Sequence, residues 1–238
     1  MPPPSAPETQ PRRGTARTGA ERRNVRGEAT RLRIIRAAER LFADHGIAAA
    51  PLRDIAVAAG QRNHAAVQYH FGDRDRLIRE VLEYRGAESE AMRAEVVAGL
   101  ALSDSPATVE DVVAAFIWPL AIHLQPDNHY LAFLSRLIIE VGGYEGFAGI
   151  GVHTGASTFT LRNLLGRLVP SLPGSVLDER WSVAETSAVH ALARYQAAQR
   201  VRGVPATQIE ILIPDLVTFL AAGILAPAVE GDPRVENG

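Results

Sequence analysis

Apolar residues recur at helical spacing along most of this 238-residue chain. Nowhere do they alternate with polar ones over four to eight residues, as a half-buried strand requires. Turn-forming residues break the pattern at Gly46, Gly60, Gly72-Asp73, Ser103 to Pro106, Pro126, Gly142-Gly143, Gly149/Gly151, Pro170/Pro173-Gly174, and Gly203 with Pro205. Between them lie helical segments starting near Glu28, then at about 51–59, 64–71, 74 to 92 or 100, 108–124, 127–143, 152–169, 176–201 and 207–225. No internal repeat is present. The expected fold is all-α: an N-terminal three-helix unit, then a larger helical domain.

The first segment carries Ile34, Ile35, Ala38, Leu41 and Phe42 on one stripe, with Arg31, Arg33, Arg36 and Arg40 largely off it. Thr30 or Gly27 is placed to cap its start and Gly46 to stop it. Pro51 suits a first helical turn, and Gly60 ends that helix because glycine adopts the left-handed conformation at low cost. Asp73 is placed to cap the fourth helix without a capping box, since Arg76 cannot return the bond as Glu would. The predicted divisions are an arm over 1–26, a helix-turn-helix unit over 27–73, a helical ligand-binding and dimerisation domain over 74–228, and a tail over 229–238. The arm is rich in Pro and Arg with few apolar residues, so it is expected to be unstructured in isolation.

Charge is unevenly distributed. Residues 1–93 hold 17 arginines against 12 acidic residues, and residues 94–238 hold 8 against 15. A basic front and an acidic rear place any polyanion at the front. All basic residues are Arg, and there is no Cys, so disulfides and thiolate metal sites are excluded. The Pro- and Arg-rich start lacks the apolar core of a secretory signal. The apolar stretch from Ile209 to Val229 is broken by Glu210, Pro214, Asp215 and Pro227, too often for a membrane span. A cytoplasmic location is expected. No Gly-rich phosphate loop, nucleophile-elbow serine or HExxH motif is present, so an enzyme is not expected. His123 and His129 are six apart without a ligating neighbour, so no metal or cofactor is expected.

Two short helices, Leu52 to Ala59 and one ending at Tyr69-His70-Phe71, flank a Gly60-containing turn, which is the pattern of a helix-turn-helix. Small residues Ala56, Ala59, Ala65 and Ala66 let the helices approach closely. Residues 30–82 resemble the DNA-binding domain of the TetR/AcrR family of regulators. The matching residues are Ile34-Ile35, Ala37-Ala38, Leu41-Phe42, Gly46, Leu52-Arg53-Asp54-Ile55-Ala56, Ala59-Gly60, Tyr69-His70-Phe71-Gly72 and Leu77. The resemblance implies that the helix ending at Tyr69-His70 is the recognition helix. It also implies that Tyr69, His70, Arg74 and Thr30 meet phosphates. His64 and Gln68 are candidates for facing bases, since Gln can bond an adenine edge through two atoms. Phe71 is expected in the core; Tyr69 is expected with its ring buried and its hydroxyl outward. The turn departs from the family pattern: Gln61-Arg62-Asn63-His64 make it one residue longer and more polar, and one residue rotates a helix by about 100°. Arg62 and Asn63 thereby become further phosphate candidates.

The rear segments carry the remaining expectations. Aromatic and polar residues concentrate between 116 and 159, a composition suited to a small-molecule pocket, with Trp118, His123, Tyr130, Phe133, Tyr144 and Phe159 as candidate lining. Arg136 and Glu140, four apart, are expected to pair on the surface. Stripes through Ala188, Leu192 and Tyr195, and through Ile213, Leu216 and Leu220, are candidates for a homodimer interface built as a four-helix bundle. The resulting reading is a sequence-specific transcriptional regulator, a repressor released by a small-molecule effector and bound as a homodimer to a pseudo-palindromic operator in double-stranded DNA, with no membrane partner. The alternative is a helical dimeric interaction module that keeps the fold without operator-specific binding.

Overall fold

The computed structural model describes residues 19–63, 65–151, 155–202 and 208–228. All regular structure among them is helical. The α-helices are α1 (Gly19–His45), α2 (Leu52–Ala58), α3 (Ala66–Phe71), α4 (Arg74–Leu102), α5 (Val109–Ile117), α6 (Tyr130–Val141), α7 (Ala156–Leu168), α8 (Gly174–Arg202) and α9 (Ile209–Leu225). Two 3-10 segments, Trp118–His123 and Tyr144–Ile150, continue α5 and follow α6.

Sequence and structure differ at the front edge. Helix α1 begins at Gly19, inside the segment expected to be an unstructured arm. Ala20, Glu21, Arg22 and Arg23 are good helix formers, and adding turns to an existing helix costs far less than nucleating one. Residues 1–18 of the expected arm, the expected tail over 229–238 and His64 lie outside the described residues.

Helix α5 forms the centre of the rear domain. Thr108 caps it: its Oγ1 accepts from Asp111 N at 3.1 Å, and Asp111 Oδ2 accepts from Thr108 N at 2.9 Å. This reciprocal box uses Asp where Glu is more usual. Val112, Val113, Ala115, Phe116 and Ile117 are all buried, which suits a helix packed against α7, α8 and α9. Pro119 has no N–H to donate back to Ala115, so the α-helix ends at Ile117 and the chain tightens into a 3-10 turn. The glycines of 142–151, read from sequence as turns alone, also enclose the second 3-10 segment; Gly142, at φ 81°, stops α6.

Helix α1 packs on α2, α4 and α6, so the front unit rests on two rear helices. Charged contacts fasten it there. Arg31 pairs with Glu80 of α4. Glu39, buried in α1, accepts from Arg85 Nε at 2.6 Å and from His129 N at 2.8 Å. Glu140, at the end of α6, accepts from Ile47 N at 2.7 Å and Ala48 N at 2.8 Å. It thus holds the α1–α2 turn and makes no pair with Arg136, contrary to the expectation from their spacing. Gly46 in that turn has φ 93°, and a Cβ there would lie 2.7 Å from Glu140 Oε1, so any other residue would be strained and would displace that carboxylate.

Candidate nucleic-acid interface and interior cavity

The outward-facing helix is set up by two local devices. At the end of α2, Gly60 takes φ 70° and Gln61 N donates to Ala56 O at 3.0 Å, closing a Schellman turn. At the start of α3, Asn63 Oδ1 accepts from Ala65 N at 2.9 Å, and Asn63 O from Ala66 N at 3.0 Å. The lengthened turn is therefore closed by its own asparagine, and α3 starts at Ala66, two residues later than its sequence pattern predicts.

Helix α3 has one inner edge. Val67 and Phe71, four apart, are buried against the front core. Tyr69, two residues from Val67, is turned about 200° away and is 85% exposed. This corrects the expectation of a buried ring: the whole side chain projects, with the His70 ring edge-on at 5.2 Å. Gln68, Arg62 and Asn63 are exposed and His70 is half-buried. Thr30 is half-buried, its Oγ1 accepting from Arg33 at 3.0 Å. Arg74 points inward: its guanidinium donates to Ile47 O and lies 5.9 Å from the Phe42 ring centroid. It braces the same turn that Glu140 holds. Arg53 of α2, not predicted as a contact, is also exposed and pairs with Asp54 at 3.3 Å.

Behind the front unit lies a cavity of about 530 Å³, between α4, α5, α6, α7 and the second 3-10 segment. Leu82, Phe116, Leu120, Leu134 and Phe147 form apolar walls; Arg79, Ser89, Glu90, Arg93, Tyr130 and Thr158 bring polar groups to it. Of the six residues predicted to line a pocket, Tyr130 lines this cavity, and His123 lines a second one beside Tyr84, Arg85 and Asn128. Phe133 is core, its ring 6.0 Å from that of Phe42. His123 is buried, with Nε2 3.4 Å from Ser89 Oγ and Nδ1 3.3 Å from Asn128 Nδ2. Burial, then the charges of Arg85 and Arg93, lower its pKa to about 4, so the imidazole is neutral. Trp118 and Phe159 face solvent outside the cavity, and Tyr144 has its side chain outside the described residues. Aromatic clustering along a sequence does not say which side of each helix is inward. Sequence reasoning missed Glu90 and Arg93, whose i, i+3 spacing on α4 was the available signal.

The predicted dimer residues require a similar correction. Ala188, Leu192, Ile213 and Leu220 are buried within the single chain, as is Tyr195, and Leu216 is half-buried. The stripes seen in the sequence are the inward faces of α8 and α9. Their outward faces carry Val183, Ile211 and Phe219, the last 70% exposed.

A short helix carried outward on two others by a glycine-containing turn, with polar and aromatic side chains free on its outer edge, defines a helix-turn-helix of the DNA-binding class. Residues 34–81, which span α2, α3 and parts of α1 and α4, match the family described as "Bacterial regulatory proteins, tetR family". A 55-residue stretch is 46% identical to the HTH-type transcriptional repressor Rv3405c of Mycobacterium tuberculosis. It is equally identical to an HTH-type transcriptional regulator of Mycobacterium bovis. The match covers 23% of this chain and 29% of each relative. Over the whole molecule the fold is similar to that of Mycobacterium smegmatis AmtR, with TM-score 0.50 and 19% identity over 94% of this chain and 92% of that one. Among the described residues no helix is long and apolar enough to cross a membrane.

Proposed function

We propose that the protein is a sequence-specific transcriptional repressor that binds a pseudo-palindromic DNA operator as a homodimer and releases it when a small molecule fills the interior cavity. The observation that carries this reading is the exposed outer edge of α3, with Gln68 and Tyr69 projecting from a rigid, glycine-stopped platform. Gln68 reads a base edge; Tyr69, His70, Arg62 and Thr30 meet phosphates. His64 keeps its role as a candidate base contact. Asn63 shapes the turn, and Arg74 acts on DNA through the turn it braces. The repressor described for the mycobacterial relative supports the sign of the regulation. The protein works in the cytoplasm, where its operator is.

Dimerisation uses the outward faces of α8 and α9. It sets the two copies of α3 about one DNA turn apart, roughly 34–36 Å. The cavity and the front unit share helices: α4 and α6 line the first and hold the second through Glu80, Arg85 and Glu140. A ligand that favours a different packing of α4 on α6 shifts the turn at Gly46 to Ala50 and with it α3. A 10- to 100-fold drop in operator affinity corresponds to roughly 1.4–2.7 kcal/mol of coupling.

The test is to pass sheared genomic DNA over the purified protein at stated salt concentrations and sequence what is retained. Recovery of one pseudo-palindrome, lost with Tyr69→Ala, is the expected result. Retention that is salt-sensitive and independent of sequence would replace operator recognition with the interaction-module reading.

A further inference from the structure

The cavity walls are mostly apolar, and its charged groups differ in how far their hydrogen bonds are satisfied. Arg79 is committed: Nη1 donates to Ile150 O at 2.7 Å. Glu90 is committed twice, accepting from Arg93 Nη1 at 2.7 Å and from Ser157 N at 3.1 Å at the start of α7. Glu83 is exposed. Arg93 differs from all of them. It is 6% exposed, its guanidinium lies 5.2 Å from the Phe116 ring centroid, and its Nε has no hydrogen-bond partner among the described residues. A buried N–H of a charged group without an acceptor is costly, and native structures leave few of them.

The nearby carboxyl does not remove this deficit. Glu185 on α8 is close enough to feel the charge of Arg93, yet burial pushes its pKa up to about 8, so it is protonated at neutral pH. Its Oε1 is also without a partner. The positive charge on Arg93 is offset only by Glu90, which also serves Ser157. The free Nε side of a guanidinium is half of the parallel N–H fork that a planar carboxylate fits with two bonds.

We infer that the cavity takes an amphipathic monocarboxylate, its carboxylate on the Nε side of Arg93 and its apolar body against Leu82, Phe116, Leu134 and Phe147. This rests on reading the cavity as the effector site. A volume of about 530 Å³ lies within the range of small-molecule sites, about 300–1,000 Å³. Arg79 is engaged at Ile150 O, which leaves Arg93 as the cation with an unpartnered buried N–H among the described residues and selects one negative charge over two.

The experiment is calorimetric titration of the full chain with matched probes: decanoate, decanamide and decylamine, and 4-phenylbutyrate with its amide. At least one carboxylate is expected to bind about tenfold or more tightly than its own amide, the margin of a charge-assisted over a neutral contact. Arg93→Gln is expected to bring that carboxylate to the level of its amide while leaving amide affinity unchanged, and Arg93→Lys to fall between. The wild-type ratio decides even where a variant folds poorly. Equal binding of acid and amide, preference for the amine, no binding of any probe, or an acid preference that survives Arg93→Gln overturns the inference. Operator release is scored separately. A carboxylate bound through Arg93 that leaves operator affinity unchanged keeps this inference and removes the effector reading. An amide or amine that binds best and releases operator does the reverse.

Discussion

At the scale of single residues, two buried titrating groups set opposite pH dependences. His123 has its pKa lowered by burial to about 4, below its ordinary value of about 6.5, so it contributes stability that is present above about 6.5 and lost as pH falls towards 4. Glu185 has its pKa raised to about 8 from 4.5, so the folded state holds a proton that the unfolded state releases, and stability falls as pH rises from 4.5 to 8. Between about 4.5 and 6.5 the two slopes oppose each other, and above 6.5 only that of Glu185 remains. Urea midpoints at pH 5, 6.5 and 8 are expected to be similar at the first two and lower at the third. Glu185→Gln, which mimics the protonated side chain, is expected to flatten the fall above pH 6.5; an unchanged fall would assign it to other groups. Tyr69 lies at the other extreme of exposure. Tyr69→Ala is expected to change stability by no more than about 0.5 kcal/mol. It is expected to weaken operator binding about tenfold or more, seen by fluorescence anisotropy on the selected fragment.

At the scale of elements, the turn between α1 and α2 is the most constrained backbone of the front unit. It donates two hydrogen bonds to Glu140, accepts one from Arg74, and has Gly46 in a left-handed conformation with the Glu140 carboxylate against it. Gly46→Ala is expected to cost about 1–2 kcal/mol from its backbone conformation alone, and more from the contact with Glu140. Glu140→Ala removes an ionised acceptor from two N–H groups, and a loss of about 1–3 kcal/mol is expected. Hydrogen exchange locates the effect: the amides of Ile47 and Ala48 should lose protection first. If exchange instead rises evenly over α1 to α3, Glu140 contributes to general stability and does not act on this turn.

At the scale of the whole molecule, the outward apolar residues of α8 and α9 have no partner within the described chain. Phe219 and Ile211 on one helix and Val183 on the other stand exposed while Ala188, Leu192, Ile213 and Leu220 fill the interior. Phe219→Asp is expected to leave the thermal unfolding of the subunit intact and convert a dimer to a monomer in sedimentation equilibrium. Operator affinity is expected to fall by about 10²-fold or more, because two half-site contacts are no longer linked. A wild-type protein that sediments as a monomer at micromolar concentration would remove both the interface and the two-fold operator.

The amino-acid sequence by itself determined what depends on near neighbours. Periodicity and turn residues located the α-helices to within a few residues, except at the start of α1 and the end of α5; Gly60 and Asp73 marked the ends they were expected to mark, and Phe71 entered the core. These features follow from φ/ψ preference and i, i+4 spacing, which act within a few residues of chain. Only the tertiary structure decided which face of a helix is inward when both faces are apolar. That is why the stripes of α8 and α9 proved to be core, why Trp118 and Phe159 stand outside the cavity, and why the ring of Tyr69 is free. It also decided the long-range polar contacts, Glu140 to Ile47 and Ala48, Glu39 to Arg85, and the Arg93 guanidinium beside Phe116. Partners up to 93 residues apart are joined by packing, and no local pattern in the chain specifies them.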